Sequence, residues 1–238
     1  LIAVWHGAAP CPPAVKRGLI DWWGPKITEY YGSTEGSIIS VVSSDDWMRK
    51  GGSVGKPLDT VEVIVVDDAG NRVAQGSEGT LYFRNKMGTD FSYHNDEEKT
   101  RSAHLEPGVF TTGDVGYIDA DGHVFICDRK RDMVISGGVN IYPAEIEAVL
   151  VTMPGVADCA VFGIPHPEFG ESVAAAVQVQ EGHSLTEEDV KRWLGERIAD
   201  TKVPRLVAFH DKLPREDSGK LFKRRLRAPY WEKAGRKI

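Results

Sequence analysis

A charged segment in the middle of the chain reads Asp128-Arg-Lys-Arg-Asp-Met-Val-Ile-Ser-Gly-Gly-Val-Asn-Ile-Tyr-Pro-Ala-Glu-Ile-Glu147. Before it, the sequence is rich in strand-like runs and turn signals; after it, helix-like and strand-like runs alternate. Pro143 favours a helix start, and the apolar residues that follow it share one helical face: Ile146, Val149 and Leu150. The segment therefore predicts a domain junction at residues 128–132.

The residues on either side of this junction predict the domain organisation. Residues 1–50 are typical of the end of an α/β layer, and residues 51–127 predict a small β-barrel-like subdomain. Residues 133–238 predict a separate α+β domain, whose length lies within the usual range of about 50–250 residues. The expected fold is an α/β and β remnant of a large N-terminal domain, followed by a small α+β C-terminal domain.

Composition narrows the class of protein. The chain has 238 residues, 41% of them hydrophobic, and a formal net charge of -6. That charge argues against nucleic-acid binding, although a basic C-terminal tail, residues 223–227, could meet a membrane surface peripherally. Three widely separated cysteines indicate neither a disulfide framework nor a metal cluster, which favours a reducing cytoplasm. No apolar run approaches the roughly 20 residues that span a bilayer.

The turn Tyr31-Gly-Ser-Thr-Glu-Gly36 combines groups that suit a nucleotide. The ring of Tyr31 could stack on a base, and a hydroxyl could contact a phosphate. Glu35 could bind Mg²⁺, which proteins hold through few carboxylates together with phosphate oxygens. An ordinary polar turn is the alternative interpretation.

Two further segments offer ligand contacts. Thr112-Gly113-Asp114 places a carboxylate acceptor after a tight turn, which suits two vicinal ribose hydroxyls. In isolation, Asp114 is equally plausible as a turn residue. Gly137 and Gly138 have no side chains to cover the backbone, so a narrow ligand could approach the backbone there.

Near the C-terminus, the run Pro214-Arg-Glu-Asp-Ser-Gly-Lys220 ends in a lysine that follows a glycine. Gly219 can turn the chain sharply and present Lys220 from a loop. The lysine ammonium is a compact charge suited to phosphate or carboxylate oxygens. Alternatively, Lys220 is simply the first charge of the solvated basic tail.

Taken in order, these segments resemble the adenylate-forming superfamily, specifically AMP-forming acyl-CoA synthetases such as fatty-acid–CoA ligases. The resemblance extends over nearly the whole chain, including Gly7-Ala-Ala-Pro10, and is most specific in the segment 128–147. In that family, a carboxylic acid attacks ATP to give acyl-adenylate and pyrophosphate. CoA then displaces AMP to give the thioester. The resemblance implies ATP, Mg²⁺, CoA and a carboxylic acid, with a fatty acid favoured, as the ligands.

The resemblance also assigns roles in the first half-reaction. It places seven residues at the nucleotide: Gly7, Ala8, Ala9, Tyr31, Gly32, Asp114 and Arg129. Among them, Tyr31 stacks on adenine, and Asp114 and Arg129 bind the ribose hydroxyls. Thr34 contacts phosphate and Glu35 helps to hold Mg²⁺. Lys220 bridges the acid and the α-phosphate.

For the second half-reaction, the resemblance implies a moving domain. Arg131 matches the hinge about which the small C-terminal domain swings between its adenylating and thioester-forming positions. Gly137 and Gly138 match the segment beside the pantetheine channel for CoA.

One departure from the family is large. The Gly, Ser and Thr-rich triphosphate loop of the family, with its Pro-Lys-Gly signature, is absent from these 238 residues. We therefore expect the chain alone to form acyl-adenylate inefficiently. A peptide-synthetase adenylation domain and a non-catalytic nucleotide- or CoA-binding module are the alternatives.

Overall fold

A computed structural model describes residues 1–216 and 221–235 of the chain. The chain divides into two compact units, Leu1–Lys130 and Arg131–Ile238. Each unit has its own sheet and its own buried core. The role of residues 128–132, which span this boundary, as a hinge stays a prediction.

The N-terminal unit is built mainly from strands. Its strands are β1 (Val4–His6), β2 (Ile27–Ser33), β3 (Ser37–Ser43), β4 (Ser53–Pro57), β5 (Val61–Val66), β6 (Gly79–Asn85), β7 (His104–Glu106), β8 (Val109–Phe110), β9 (Asp114–Ile118) and β10 (Val124–Arg129). Its helices are α1 (Pro13–Trp23), α2 (Ser44–Arg49) and α3 (Glu97–Ala103).

These strands form one open sheet in the order β1-β2-β3-β4-β10-β9-β6-β8-β7, with β5 paired to β6. The mixed α/β and β character predicted for this unit is confirmed. However, residues 51–127, expected to resemble a small barrel, do not close on themselves among the described residues 1–130. The reason is that β10 pairs with β4, so the later strands extend the sheet that begins at β1. Two phenylalanines, Phe83 and Phe110, lie in the buried core of this region.

The C-terminal unit has the α+β composition that the sequence predicts. Its strands are β11 (Val134–Ser136), β12 (Val139–Ile141), β13 (Val156–His166), β14 (Gly170–Val179) and β15 (Leu206–Phe209). Its helices are α4 (Pro143–Leu150), α5 (Glu187–Gly195), a 3₁₀ turn (Asp200–Lys202) and α6 (Lys223–Lys233).

In this unit, β13 and β14 are covered on both faces. Their runs of consecutive apolar residues fit strands that are buried on both sides. One face packs against α4 and α5, where Leu150 and Leu194 are fully buried. The opposite face packs against Leu213 and against Leu226 of α6. Burial of each such leucine contributes about 2 kcal/mol, so the sheet fixes all three helices.

Helix α5 begins with a capping box. The Thr186 side chain accepts from the Asp189 backbone N–H, and the Asp189 side chain accepts from the Thr186 backbone N–H. These reciprocal hydrogen bonds satisfy two backbone donors that the first turn of the helix would otherwise leave unpaired. Among residues 1–216 and 221–235, no helix is both long and apolar enough to cross a membrane. A cytoplasmic location and a peripheral membrane contact stay predictions.

Candidate functional site

Three of the predicted nucleotide residues meet in the N-terminal unit around Asp114. Asp114 begins β9 and is directly paired with Arg129 at the end of β10. This register brings the Arg129 Nε atom to 2.7 Å from the Asp114 Oδ1 atom. Tyr31 from β2 donates its hydroxyl to Oδ2 of the same carboxylate. The Thr112 hydroxyl also donates to Oδ2, at 2.7 Å.

The Asp114 carboxylate is held in a largely buried position, with 2% of the residue exposed. Burial, and then the nearby Asp114 charge, raises the pKa of Tyr31 well above its usual value. The Tyr31 hydroxyl therefore stays protonated and remains a donor at neutral pH. Its ring contacts Phe83 edge-on, with 5.9 Å between ring centroids, so only part of the ring surface remains to contact a base. Four residues from three separate parts of the sequence thus form one polar cluster: Tyr31, Thr112, Asp114 and Arg129.

The turn between β2 and β3 carries Thr34 and Glu35. At Gly32, an added Cβ would lie 2.1 Å from the Ser37 carbonyl oxygen, so the tight pairing of the two strands requires glycine there. Thr34 is exposed at the tip of the turn. The structure thus presents the Thr34 hydroxyl to solvent from a turn of fixed geometry.

Glu35 has an unpredicted partner. The Tyr93 hydroxyl donates to the Glu35 Oε1 atom at 2.9 Å, and the Lys99 ammonium lies 3.7 Å from the centroid of the Tyr93 ring. Burial acts to raise the pKa of Glu35, but hydrogen bonds from its own backbone amide, Tyr93 and Ser33 bring the pKa below its usual value. Glu35 is therefore ionised at neutral pH. An ionised carboxylate beside an exposed hydroxyl fits the donor set that Mg²⁺ uses together with phosphate oxygens.

Gly7, Ala8 and Ala9 follow the carboxyl end of β1, which is parallel to β2. A Cβ at Gly7 would lie 2.6 Å from the ring and the carbonyl oxygen of Tyr30, so the close approach requires glycine. Ala8 has a φ of 66°, an uncommon conformation for a residue with a side chain. In parallel sheets, ligands bind beyond the carboxyl ends of strands, which is where both this segment and the Tyr31 turn lie.

A buried ion pair supports these two strands. Lys16 of α1 is only 1% exposed and pairs with Glu29 of β2. His6 Nε2 lies 3.8 Å from the same carboxylate. Burial lowers the pKa of His6, although Glu29 opposes the effect. The pair fixes α1 to the strand that carries Tyr31.

Two aspartates and a histidine lie close together elsewhere in the unit, and a lysine explains how the two carboxylates are accommodated. Asp119, Asp121 and His123 have potential ligand atoms within 4.8 Å of one another. The Lys50 Nζ atom lies 2.9 Å from Asp119 and 2.5 Å from Asp121. Burial acts to raise the pKa of Asp119, but Lys50 and backbone hydrogen bonds lower it to about 2. The lysine ammonium supplies the positive charge between these carboxylates.

In the C-terminal unit, Gly137 and Gly138 form the two-residue turn between β11 and β12. Their φ angles are 58° and 82°, a turn in which both central positions favour glycine. The Gly137 N–H donates to the Phe169 carbonyl at 2.9 Å. The Arg205 guanidinium lies 4.9 Å from the centroid of the Phe169 ring, and His166 stacks on the same ring at 4.8 Å. This cation–aromatic group therefore contacts Gly137, which the family resemblance predicts to lie beside the CoA channel.

Lys220 lies outside the described residues, but the chain on both sides of it is fixed. Arg215 and Leu221 pair in an antiparallel bridge. The Arg215 Nε and Nη2 atoms donate to the two carboxylate oxygens of Asp158, at 2.6 and 2.7 Å. Lys223 then pairs with Glu147 at 2.8 Å. The described residues on either side of positions 217–220 are therefore held to the C-terminal unit.

Comparison with known proteins identifies the class. The model of the AMP-binding enzyme family matches residues 1–89, and that of the AMP-binding enzyme C-terminal domain matches residues 145–220. A long-chain-fatty-acid–CoA ligase, FadD13 of Mycobacterium tuberculosis, is 37% identical over 229 residues, which cover 94% of this chain and 44% of that protein. The chain thus spans less than half the length of this relative.

Solved structures that resemble this chain belong to the same class of enzyme. The amide bond synthetase McbA from Marinactinospora thermotolerans has a TM-score of 0.87 at 34% identity, covering 96% of this chain and 47% of that one. The o-succinylbenzoate CoA synthetase of Bacillus subtilis, in complex with its acyl-adenylate intermediate, has a TM-score of 0.85 at 32% identity, covering 94% and 45%. The chain belongs to the family of AMP-binding, adenylate-forming enzymes, which confirms the resemblance seen in the sequence.

Proposed function

We propose that the natural protein carrying this chain is an AMP-forming acid–CoA ligase that activates a fatty acid or another apolar carboxylic acid. The observation that carries the proposal is the convergence of Tyr31, Thr112 and Arg129 on the Asp114 carboxylate. Family membership and the fatty-acid–CoA ligase among the relatives support it.

The Asp114 cluster can bind a ribose in a defined way. A carboxylate has about four acceptor positions, and the protein donors Tyr31, Thr112 and Arg129 use three of them. One ribose hydroxyl would donate to the remaining position. The Arg129 guanidinium can only donate, so it would donate to the oxygen of a ribose hydroxyl. The cluster therefore favours a vicinal diol over a deoxyribose.

In the proposed reaction, an oxygen of the substrate carboxylate forms a bond to the α-phosphorus of ATP, and the bond to pyrophosphate breaks. The CoA thiolate next bonds to the acyl carbon, and AMP leaves with the oxygen that bridged the two groups. Glu35 would hold Mg²⁺, which neutralises phosphate charge when bound. Thr34 would contact phosphate, and Lys220 would stabilise the charge that develops between the acid and the α-phosphate.

We further propose that Phe169 and Arg205 bind the nucleotide portion of CoA, since an aromatic ring and a guanidinium suit a base and a phosphate. Arg205→Ala is then expected to raise KM for CoA about tenfold, the equivalent of about 1.4 kcal/mol, with little change in adenylation. Steady-state kinetics of the full-length natural protein measures both. Arg192→Ala removes an exposed arginine of the same unit and serves as the control. Equal KM values in the two variants would contradict the assignment.

The 238-residue chain by itself is expected to release pyrophosphate far more slowly than the full-length natural protein. It contains no triphosphate loop, so the α-phosphate of ATP would not be aligned with the acid. A coupled pyrophosphate assay on both proteins tests this. Similar rates would show that the residues present here suffice for adenylation.

A screen for ATP-dependent thioester formation tests the proposed function. Full-length natural protein is incubated with aliphatic and aromatic acids, ATP, Mg²⁺ and CoA, and products are identified by mass spectrometry. We expect AMP and a thioester with at least one apolar acid. In parallel reactions, simple amines are supplied in place of CoA, because one structural relative is an amide bond synthetase. Failure with every acid would favour a non-catalytic nucleotide-binding module.

A further inference from the structure

We propose that Arg227 is a positioning residue that fixes the C-terminal side of the link between the two units. Its guanidinium would confine rotation to the backbone angles of Lys130 and Arg131. The functional meaning of this confinement rests on the proposed function and on the swing of the C-terminal domain that the family resemblance implies.

The contact on the C-terminal side is direct. The Arg227 Nη1 atom donates to the backbone carbonyl of Arg131 at 3.0 Å. Arg227 is carried by α6, which is itself fixed: Leu226 lies in a buried cluster, and the Trp231 Nε1 atom donates to the Gly163 carbonyl at 3.0 Å. The Arg131 carbonyl is therefore bound to the body of the C-terminal unit.

The Arg227 charge also acts on a nearby carboxylate, that of Glu171. Glu171 of β14 is half-buried, and burial raises its pKa, while the positive charge of Arg227 acts in the opposite direction. A Glu171 oxygen also accepts from the Ile135 backbone N–H, at 3.3 Å. Arg227 thus lies near a carboxylate that contacts β11, the first strand after the link.

The N-terminal side of the link has its own anchor. The Lys130 backbone N–H donates to the Gly113 carbonyl at 2.7 Å. The Lys130 ammonium lies 2.8 Å from Asp68 and 3.3 Å from Thr80. All three partners belong to the N-terminal unit, so the chain is fixed to that unit up to the Lys130 amide.

Between the two anchors lie only the φ and ψ angles of Lys130 and Arg131. Each residue has two soft backbone angles, and hinges are typically a few residues that absorb large changes in them. The Arg131 side chain is 68% exposed and approaches Asp132 only at 3.9 Å, so it does not restrain these angles. Loss of the Arg227 contact would release the Arg131 carbonyl and lengthen the mobile link.

Limited trypsin digestion of the 238-residue chain tests this directly, because trypsin cleaves after lysine and arginine. The measured quantity is the initial rate of cleavage after Lys130 and Arg131, divided by the rate after Lys86, in an exposed loop of the N-terminal unit. Arg227→Met keeps most of the apolar stem but removes the donors. Arg225→Met is the control, since Arg225 is an exposed residue of the same helix that contacts the Phe222 ring.

We expect Arg227→Met to raise this ratio at least fivefold, Arg227→Lys to give an intermediate value, and Arg225→Met to leave it unchanged. An unchanged ratio in Arg227→Met would overturn the proposal, as would an equal rise in Arg225→Met. General unfolding would accelerate both cleavages without raising the ratio and would also count against it. The test needs no enzymatic activity, so failure of the proposed function would be seen separately, in the acid screen.

Discussion

Asp114→Asn is expected to weaken binding of AMP about 100-fold in the full-length natural protein. The carboxylate accepts from three protein donors, and the proposed ribose contact needs its remaining acceptor position. Hydrogen bonds to a charged group contribute about 1.5–3 kcal/mol each, and 1.4 kcal/mol corresponds to a factor of ten. An asparagine keeps the shape but replaces one oxygen by a donor and leaves Arg129 without its ionic partner. Isothermal titration calorimetry with AMP measures the change.

Asp119→Asn is the matched control for this prediction. Asp119 is also a carboxylate of the N-terminal unit with a lysine or arginine partner, in its case Lys50, but it is not among the residues assigned to the nucleotide. AMP affinity within about twofold of the unmodified protein is expected, as for surface substitutions remote from a site. Equal losses in the two variants would mean that Asp114 acts through general stability. Unchanged affinity in Asp114→Asn would place the ribose elsewhere.

Lys220→Ala is expected to slow adenylate formation by about 10²–10³-fold, the usual effect of removing one donor aimed at developing negative charge. Conversion of supplied acyl-adenylate to thioester should change less than about threefold, because the phosphoryl step is then already complete. Acid-dependent exchange between ATP and pyrophosphate measures the first step, and release of AMP from the supplied adenylate measures the second.

Lys212→Ala provides the comparison for this second prediction. Lys212 is exposed in the same unit and lies outside the run Pro214–Lys220 that the resemblance assigns to adenylation, so its loss should leave both half-reactions intact. A parallel decline of both half-reactions in Lys220→Ala would contradict the role given to this lysine. It would indicate instead that the change disturbs the bridge between Arg215 and Leu221.

The sequence predicts those parts of the candidate site that depend on residues close together in the chain. The turn at Tyr31 and the helix starts at Pro143 and Thr186 follow from short-range chemistry. The meeting of Arg129 with Asp114 depends on the register of two adjacent strands. Sequence order places these residues in one site through the family resemblance, but the register itself requires the structure.

Other features depend on contacts between residues that are far apart in the sequence, and local sequence patterns do not predict such contacts. Tyr93 lies 58 positions from Glu35 along the chain, so its hydrogen bond carries no sequence signal. Lys16 is buried by its pairing with Glu29, whereas lysine is normally an exposed residue. The open sheet results from the pairing of β4 with β10, and alternation within single strands does not specify which strands become neighbours.

Transfer of oxygen from the acid to AMP tests the central claim most directly. The full-length natural protein is incubated with ATP, CoA and a substrate acid whose carboxylate carries ¹⁸O in both positions, and AMP is analysed by mass spectrometry. Attack of the carboxylate on the α-phosphorus, followed by thiolate attack on the acyl carbon, predicts AMP with one ¹⁸O atom. Unlabelled AMP, or ADP as the nucleotide product, would contradict an acyl-adenylate intermediate.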